Sequence, residues 1–424
     1  MSERNFFVRL IVAIWHGADG LRKVLHLLLM LFIFLAFLGA LSGAPQLLPQ
    51  EAALVIRPSG ALVEQMEGEP FDRALAELLG EAPQQTLVQD IVEALEFARD
   101  DDRIKVVHLE LSGLGGAGLN KLQRIGSALA SFQESGKPVV ASGDFFTQPG
   151  YYLASHADEL YMHPEGVVFL QGYGAYRTYY KDAIDLLRID WNVFRVGTHK
   201  SFVEPYTRMD MSPEDRASRQ RLVDQFWVMY REDVVAARGL EDGAIDGYVQ
   251  NMVDRVAEAE GDLAVAAVES GLVDELLSRG GLRDKLKAYA GEDEDDESTY
   301  SSVAMSEYLD KMRLVRGEKP QDENVAVIVA SGQILDGSQP PGTIGGESTA
   351  ALLRKARTDE SVKAVVLRVD SPGGSVFASE VIAHEVEALQ AAGKPVVASM
   401  SSVAASGGYW ISSGADKILA SRST

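Results

Sequence analysis

Gly393–Gly414 reads GKPVVASMSSVAASGGYWISSG, and it holds in one stretch what the fold and the chemistry turn on. Pro395-Val396-Val397-Ala398 is a short apolar run of the kind that forms a buried strand. Small residues follow as far as Ser406-Gly407-Gly408, and Tyr409-Trp410-Ile411 open a segment of helical character. Ser406 lies between Ala405 and Gly407, so its hydroxyl is uncrowded. Backbone N–H groups of the neighbouring glycines can approach a bound molecule closely, and a helix N-terminus there would favour negative charge. Those are the requirements of a nucleophile in acyl transfer. A Ser-Gly-Gly can equally serve as a plain cap or close-packing element.

The same run occurs twice. Gly136-Lys137-Pro138-Val139-Val140-Ala141-Ser142 matches Gly393-Lys394-Pro395-Val396-Val397-Ala398-Ser399 at an offset of 257. Upstream, Ile104–Leu111 matches Val362–Val369 at an offset of 258. Ser112-Gly113-Leu114-Gly115-Gly116 then lies against Asp370-Ser371-Pro372-Gly373-Gly374, and Ala52–Ile56 echoes Val325–Val329. Each copy alternates apolar strands with helical segments, which predicts an α/β unit built on a largely parallel sheet. Aligning Gly150-Tyr151-Tyr152 with Gly408-Tyr409-Trp410 puts Gln148 opposite Ser406, so the first copy lacks the hydroxyl. Between the copies, helical patterns run from about Met211 to Leu240 and from Asp254 to Tyr289. The acidic run Glu292–Glu297 reads as a solvated spacer. The expected division is a leader and anchor over 1–50, a first repeat over 51–290, a linker over 291–322 and a second repeat over 323–424. That second repeat reads as incomplete at Thr424, as in a piece of a longer protein.

The chain has 424 residues, 46% of them hydrophobic, enough to bury a large core. Its net charge of -22 argues against a nucleic-acid partner, which would require a basic face. It has no cysteine, which excludes disulfides, thiolate metal sites and cysteine nucleophiles. Val24–Leu41 is apolar apart from His26 and long enough to span a bilayer. Arg4, Arg9, Arg22 and Lys23 precede it, so the positive-inside rule places the N-terminus in the cytoplasm. The length of the apolar run and of the segment before it favours an uncleaved signal anchor over a cleaved signal peptide.

A serine nucleophile requires a base. His384-Glu385 lacks the second histidine of a zinc-binding HExxH helix, and no metal site is expected. Ala404 stands where the G-x-S-x-G elbow would have its first glycine. None of the seven histidines sits in a recognisable triad context. A lysine can act instead if burial and a neighbouring like charge keep it neutral. Lys200, in Val196-Gly197-Thr198-His199-Lys200-Ser201-Phe202-Val203-Glu204-Pro205, has apolar neighbours and is bracketed by Gly197 and Pro205. A surface lysine in a loop is the plainer reading, and His199 beside it is a second candidate base. Gly374, at the end of Asp370-Ser371-Pro372-Gly373-Gly374-Ser375, is assigned with Gly407 to an oxyanion hole; a simple strand-to-helix turn is the alternative.

The anchor, the duplicated unit, VGTHKSFVEPYTR, RVDSPGGS and SSVAASGGYWIS together resemble the signal peptide peptidase A family in its long, Gram-negative form. The resemblance covers the anchor and everything from about residue 50 onward. It implies two tandem ClpP/crotonase-like repeats and a serine endopeptidase with a Ser/Lys dyad, in which Ser406 is the nucleophile and Lys200 the general base. No cofactor is implied. It further implies a homotetrameric bowl fixed by its anchors to the bacterial inner membrane, with the catalytic body in the periplasm. The implied substrates are hydrophobic signal peptides left in the membrane. Tyr409 and Trp410 are candidate apolar lining of the site, with plain core residues as the alternative. Two other classes fit parts of the sequence. One is an inactive anchored scaffold that binds peptides. The other is a crotonase-like acyl-CoA enzyme, which needs neither the anchor nor a lysine-paired serine.

Overall fold

A computed structural model describes the backbone of residues 3–41, 48–81, 83–316 and 323–424, and within the first helix the side chains of residues 15–36. The chain forms two units, Met1–Leu48 and Pro49–Thr424. The first is a single helix, Glu3–Leu41. Its side chains from Val24 to Leu35 are exposed, Phe32 at 69% and Leu27 at 70%. Asp19 pairs with both Arg22 and Lys23 one turn before them. Among the described residues no helix is long and apolar enough to cross a membrane. The expected span Val24–Leu41 lies partly outside them, since the side chains of residues 37–41 are not described.

The second unit is α/β, and its main sheets are parallel throughout. The larger has six strands in the order Glu275–Leu276, Glu159–Val168, Val139–Phe146, Ile104–Glu110, Ala52–Ile56, Ser302–Ala304. The smaller has four, in the order Asn324–Ser331, Val362–Ser371, Val396–Ala404, Lys417–Leu419. Leaving out the two outermost short strands of the larger sheet, the order is the same in both. The registers also agree: Val107 stands beside Val139, and Val365 beside Val396. Each of those pairs follows from apolar runs at the offsets seen in the sequence.

Parallel strands are normally covered on both faces. In the larger sheet, Leu286 and Ala290 of helix Arg279–Ala290 pack on Ala53, Val106, Val140 and Tyr161. Helices Val88–Arg99 and Leu119–Gln133 pack against each other and bury Ile91, Leu95, Leu122, Ile125 and Leu129. In the smaller sheet, Leu353, Ile382, Val386 and Leu389 from helices Gly346–Thr358 and Val376–Ala391 cover Val365, Leu367 and Val369. Each such fully buried side chain contributes about 1.5–3 kcal/mol. The opposite face of this sheet leaves Val325 and Val327 exposed, at 59% and 63%.

Two stretches differ from expectation. The helical pattern over 254–289 is three helices, Met252–Glu258, Leu263–Glu269 and Arg279–Ala290, with the strand Glu275–Leu276 between the last two. Gly261 and Gly271 break the pattern by adopting positive φ, 93° and 70°. The segment 291–322 is more than a spacer. The acidic run turns back on itself, with Asp293 accepting the N–H groups of Asp295 and Asp296, and Glu292 bridging Tyr300. The chain then adds the edge strand Ser302–Ala304 to the larger sheet and forms helix Met305–Arg316, which buries Tyr308, Leu309 and Met312.

Candidate active site

Ser406 stands between the strand Val396–Ala404 and the short helix Gly407–Ser413. Its backbone has φ 52° and ψ -117°, one of three positive-φ non-glycine residues among those described. Such a conformation costs of order 1–3 kcal/mol and persists only where its surroundings enforce it. Here the Ala405 N–H donates to Ser371 O at 3.0 Å, the Gly408 N–H to Ala405 O at 2.9 Å, and the Trp410 N–H to Ser406 O at 2.9 Å. The turn thus takes the form of a nucleophile elbow although Ala404 replaces the motif's first glycine. Ser406 is exposed, and among the described residues its hydroxyl has no hydrogen-bond partner.

The glycine-rich turn after Val362–Ser371 lies directly against this elbow. A Cβ on Gly373 would fall 2.6 Å from Gly407 N and 2.7 Å from Ser406 Cβ, and one on Gly408 would fall 2.7 Å from Ser371 O. Glycine is therefore required at both positions by close approach. Gly373 O accepts the Ile334 N–H at 3.0 Å, and the Ser375 N–H donates to Ile334 O at 2.8 Å. This parallel bridge uses the groups on either side of Gly374 and leaves the N–H of Gly374 itself pointing away from Ile334. Gly374 N lies 3.3 Å from where a Gly407 Cβ would stand, and neither N–H donates to a protein acceptor among the described residues. Two unpaired N–H groups thus sit beside an exposed serine, an arrangement suited to holding the oxyanion that develops on a carbonyl oxygen when that hydroxyl attacks it.

Tyr409 and Trp410 are exposed at 55% and 46%, with Val376 and Phe377 at 65% and 70% on the helix that the Gly-rich turn leads into. The Trp410 indole N–H donates to Glu380 at 2.9 Å. Tyr409 and Trp410 are thus surface groups beside the serine and do not belong to the core.

Among the described residues Lys200 and Ser406 share no hydrogen bond. Lys200 is exposed, and its ammonium has no hydrogen bond or ion pair among the described residues. Burial of this lysine, the condition for a neutral base, is not met within one protomer. The residues after it are anchored: Arg177 donates to Ser201 O, Ser201 donates to Asp215 at 2.7 Å, and buried Glu204 accepts the Ser212 N–H. Asp215 lies below the usual carboxylate range: burial pushes it up, but the Ser201 and Arg219 hydrogen bonds and nearby Arg177 outweigh this. Before Lys200, Arg195 donates to Lys200 O at 3.1 Å and Trp191 stacks on Tyr206 with ring centroids 4.5 Å apart. Phe194, Val196 and Phe202 are 97%, 89% and 79% exposed, so the apolar neighbours read as a shield for Lys200 face solvent. His199 is exposed beside it. Among the described residues no histidine–carboxylate cluster could hold a metal.

The first copy shows what the alignment pairs with this site. Gln148 lies inside helix Gln148–Ala154, its Oε1 accepts the N–H groups of Gln171 and Gly172, and the preceding Thr147 has an ordinary φ of -66°. Pro149 aligns with Gly407 and has no N–H. The same alignment that shows the missing hydroxyl shows the missing donor.

An exposed serine on a strained strand-to-helix turn, flanked by free N–H groups in a parallel α/β unit, defines the class of serine-based acyl-transfer sites. The sequence profile of peptidase family S49 matches residues 131–291 and 388–424. Protease 4 of Salmonella typhi is 41% identical over 383 residues, 89% of this chain and 60% of that protein. Protease 4 of Haemophilus influenzae is 39% identical over 379 residues, 89% of this chain and 61% of that protein. The chloroplastic serine protease SPPA of Arabidopsis thaliana is 27% identical over 328 residues, covering 76% and 47% of the two chains. The chain thus carries the peptidase family S49 profile in both of its halves and is similar over most of its length to bacterial serine proteases named Protease 4. It spans about three fifths of the length of the two bacterial relatives.

Proposed function

We propose that this protein is a membrane-anchored serine endopeptidase that degrades cleaved signal peptides through a Ser406/Lys200 dyad. The observation that carries the reading is the strained, exposed Ser406 beside the unpaired N–H groups of Gly374 and Gly407. Neutral Lys200 accepts the Ser406 Oγ proton as that oxygen attacks the substrate carbonyl carbon. The two N–H groups hold the resulting oxyanion, each worth roughly 3–4 kcal/mol in comparable sites. The lysine ammonium then protonates the leaving amine, and water hydrolyses the acyl-enzyme. Lys200 reaches Ser406 on assembly, when the exposed segment carrying Phe194, Val196 and Phe202 is covered in a homotetramer and the ammonium is desolvated. In the duplicated plan, the first repeat supplies the base and the second the nucleophile. The anchor is the Val24–Leu41 segment, about 27 Å of helix. It holds the body on the periplasmic side of the inner membrane, where spent signal peptides lie within reach.

The test uses the full-length assembled protein in detergent with a fluorophosphonate probe and peptide mass spectrometry. Label on Ser406 that is lost in Lys200→Ala supports the dyad. Label that persists in Lys200→Ala transfers the base to another group, with His199 next in line. Absence of label on Ser406 overturns the peptidase reading in favour of an anchored peptide-binding scaffold.

A further inference from the structure

Helix Leu119–Gln133 belongs to the first repeat by sequence, yet its N-terminal turn is seated on the strand that delivers Ser406. Asn120 Oδ1 accepts the Ser402 hydroxyl at 2.7 Å. At Gly118 the fit is tighter still: a Cβ there would fall 2.0 Å from Ser402 Oγ. Beside them the Lys121 ammonium donates to Asp370 Oδ2 at 2.6 Å, with side-chain exposures of only 9% and 13%. The other oxygen of that carboxylate, Oδ1, accepts the Val403 N–H at 3.1 Å. Asp370 opens the turn that carries Gly373 and Gly374, and Val403 is three residues before Ser406. One carboxylate therefore links the oxyanion-side loop to the nucleophile strand, and a lysine from the other repeat holds it in place.

An ion pair removed from water loses about as much hydration as it gains in attraction, and well-packed apolar side chains would stabilise the fold as well. What the pair contributes that apolar packing cannot is a fixed direction for the carboxylate. We infer that Lys121 is a positioning residue for the Ser406 site, fixing through Asp370 the spacing between the Gly374 loop and the nucleophile turn. The inference rests on the peptidase reading above. It assigns to the first repeat a role in catalysis besides supplying a base. Displacements of about 1 Å at reacting groups cost as much as 100-fold in rate, so a freed Asp370 is expected to show in chemistry before it shows in binding.

The test measures the rate of Ser406 labelling per folded molecule in the full-length assembled protein, together with kcat and KM on an apolar peptide. Lys121→Met and Asp370→Asn are each expected to slow labelling about 10-fold or more and to lower kcat with KM nearly unchanged. The double variant is expected to be no slower than the worse single one, because both act through one link. Lys121→Arg, which keeps the charge, is expected to recover most of the rate. If either single variant fails to fold, the Lys121→Met/Asp370→Asn double variant, which leaves neither charge buried and unpaired, carries the test, and labelling within about twofold of wild type by it likewise overturns the inference. A folded Lys121→Met or Asp370→Asn that labels within about twofold of wild type, even if its melting temperature falls, overturns the inference and leaves the peptidase reading intact. Wild-type protein that takes no label overturns the peptidase reading itself, and the inference with it.

Discussion

The backbone of Ser406 leads to a stability measurement that runs opposite to the usual cost of a glycine substitution. At φ 52° and ψ -117° a residue with a Cβ is strained, by about 1–3 kcal/mol. Ser406→Gly removes that strain and adds unfolded-state entropy worth about 0.5–1 kcal/mol against the fold. The balance is a stabilisation of roughly 1 kcal/mol. Ser406→Ala is the proper reference. It keeps the Cβ and the strain and loses only an exposed hydroxyl with no protein partner, so it should lie within about 0.5 kcal/mol of wild type. Both variants abolish the nucleophile, which separates the stability effect from any effect of acylation. Urea unfolding followed by fluorescence should place the midpoint of the glycine variant roughly 0.3 M above that of the alanine variant, for a slope of about 3 kcal/mol/M. A glycine variant at or below the alanine variant would refute the strain argument. The elbow would then be a relaxed turn, and its geometry no evidence of function.

Gly374→Ala places a Cβ 1.9 Å from Ile334 O, the carbonyl that accepts the Ser375 N–H, so the bridge must open and the Gly374 N–H must move. The expected result is a loss of about 1–3 kcal/mol in stability and 100-fold or more in Ser406 labelling rate; an unchanged rate would remove Gly374 from the oxyanion site. His108 is buried between Ser142 and Tyr300, each 2.8 Å from a ring nitrogen, and burial lowers its pKa to about 4 despite the attraction of Glu110. The folded pKa lies below the unfolded value near 6.5, so the unfolded chain binds the proton first. Stability is then full above about pH 6.5, falls by about 3 kcal/mol in all as pH drops toward 4, and levels off below that. His108→Gln should remove this slope, and equal slopes in the two proteins between pH 7 and 4.5 would contradict it.

The parallel α/β framework was legible because its strands are apolar runs, Val139–Ala141 and Val396–Ala398 among them, whose burial follows from composition. Ser406 was legible as a candidate because serine before two glycines is a local signal. Its strain was not, since φ there is imposed by Ser371 O and by Gly373, which lie more than thirty residues away. The ion pair between Lys121 and Asp370 joins positions 249 residues apart and leaves no local trace in either segment. Lys200 was picked out by motif and by apolar neighbours. Apolar neighbours in sequence do not specify burial in one protomer, and Phe194 and Val196 face solvent. The breaks at Gly261 and Gly271 could have been read as helix ends from the glycines alone. So could the loss of a donor at Pro149.

That proline bears on how the two repeats came to differ. Restoring a serine at Gln148 would return a hydroxyl to the first repeat but not a second active site. The chain there continues into helix from an unstrained Thr147, and the position that would stabilise an oxyanion carries a proline. At least two further changes would have to occur together, and neither is of use without the other. On the function proposed above, the division of labour between the halves behaves as a ratchet: no single substitution in the first half would give it a second site of the Ser406 kind.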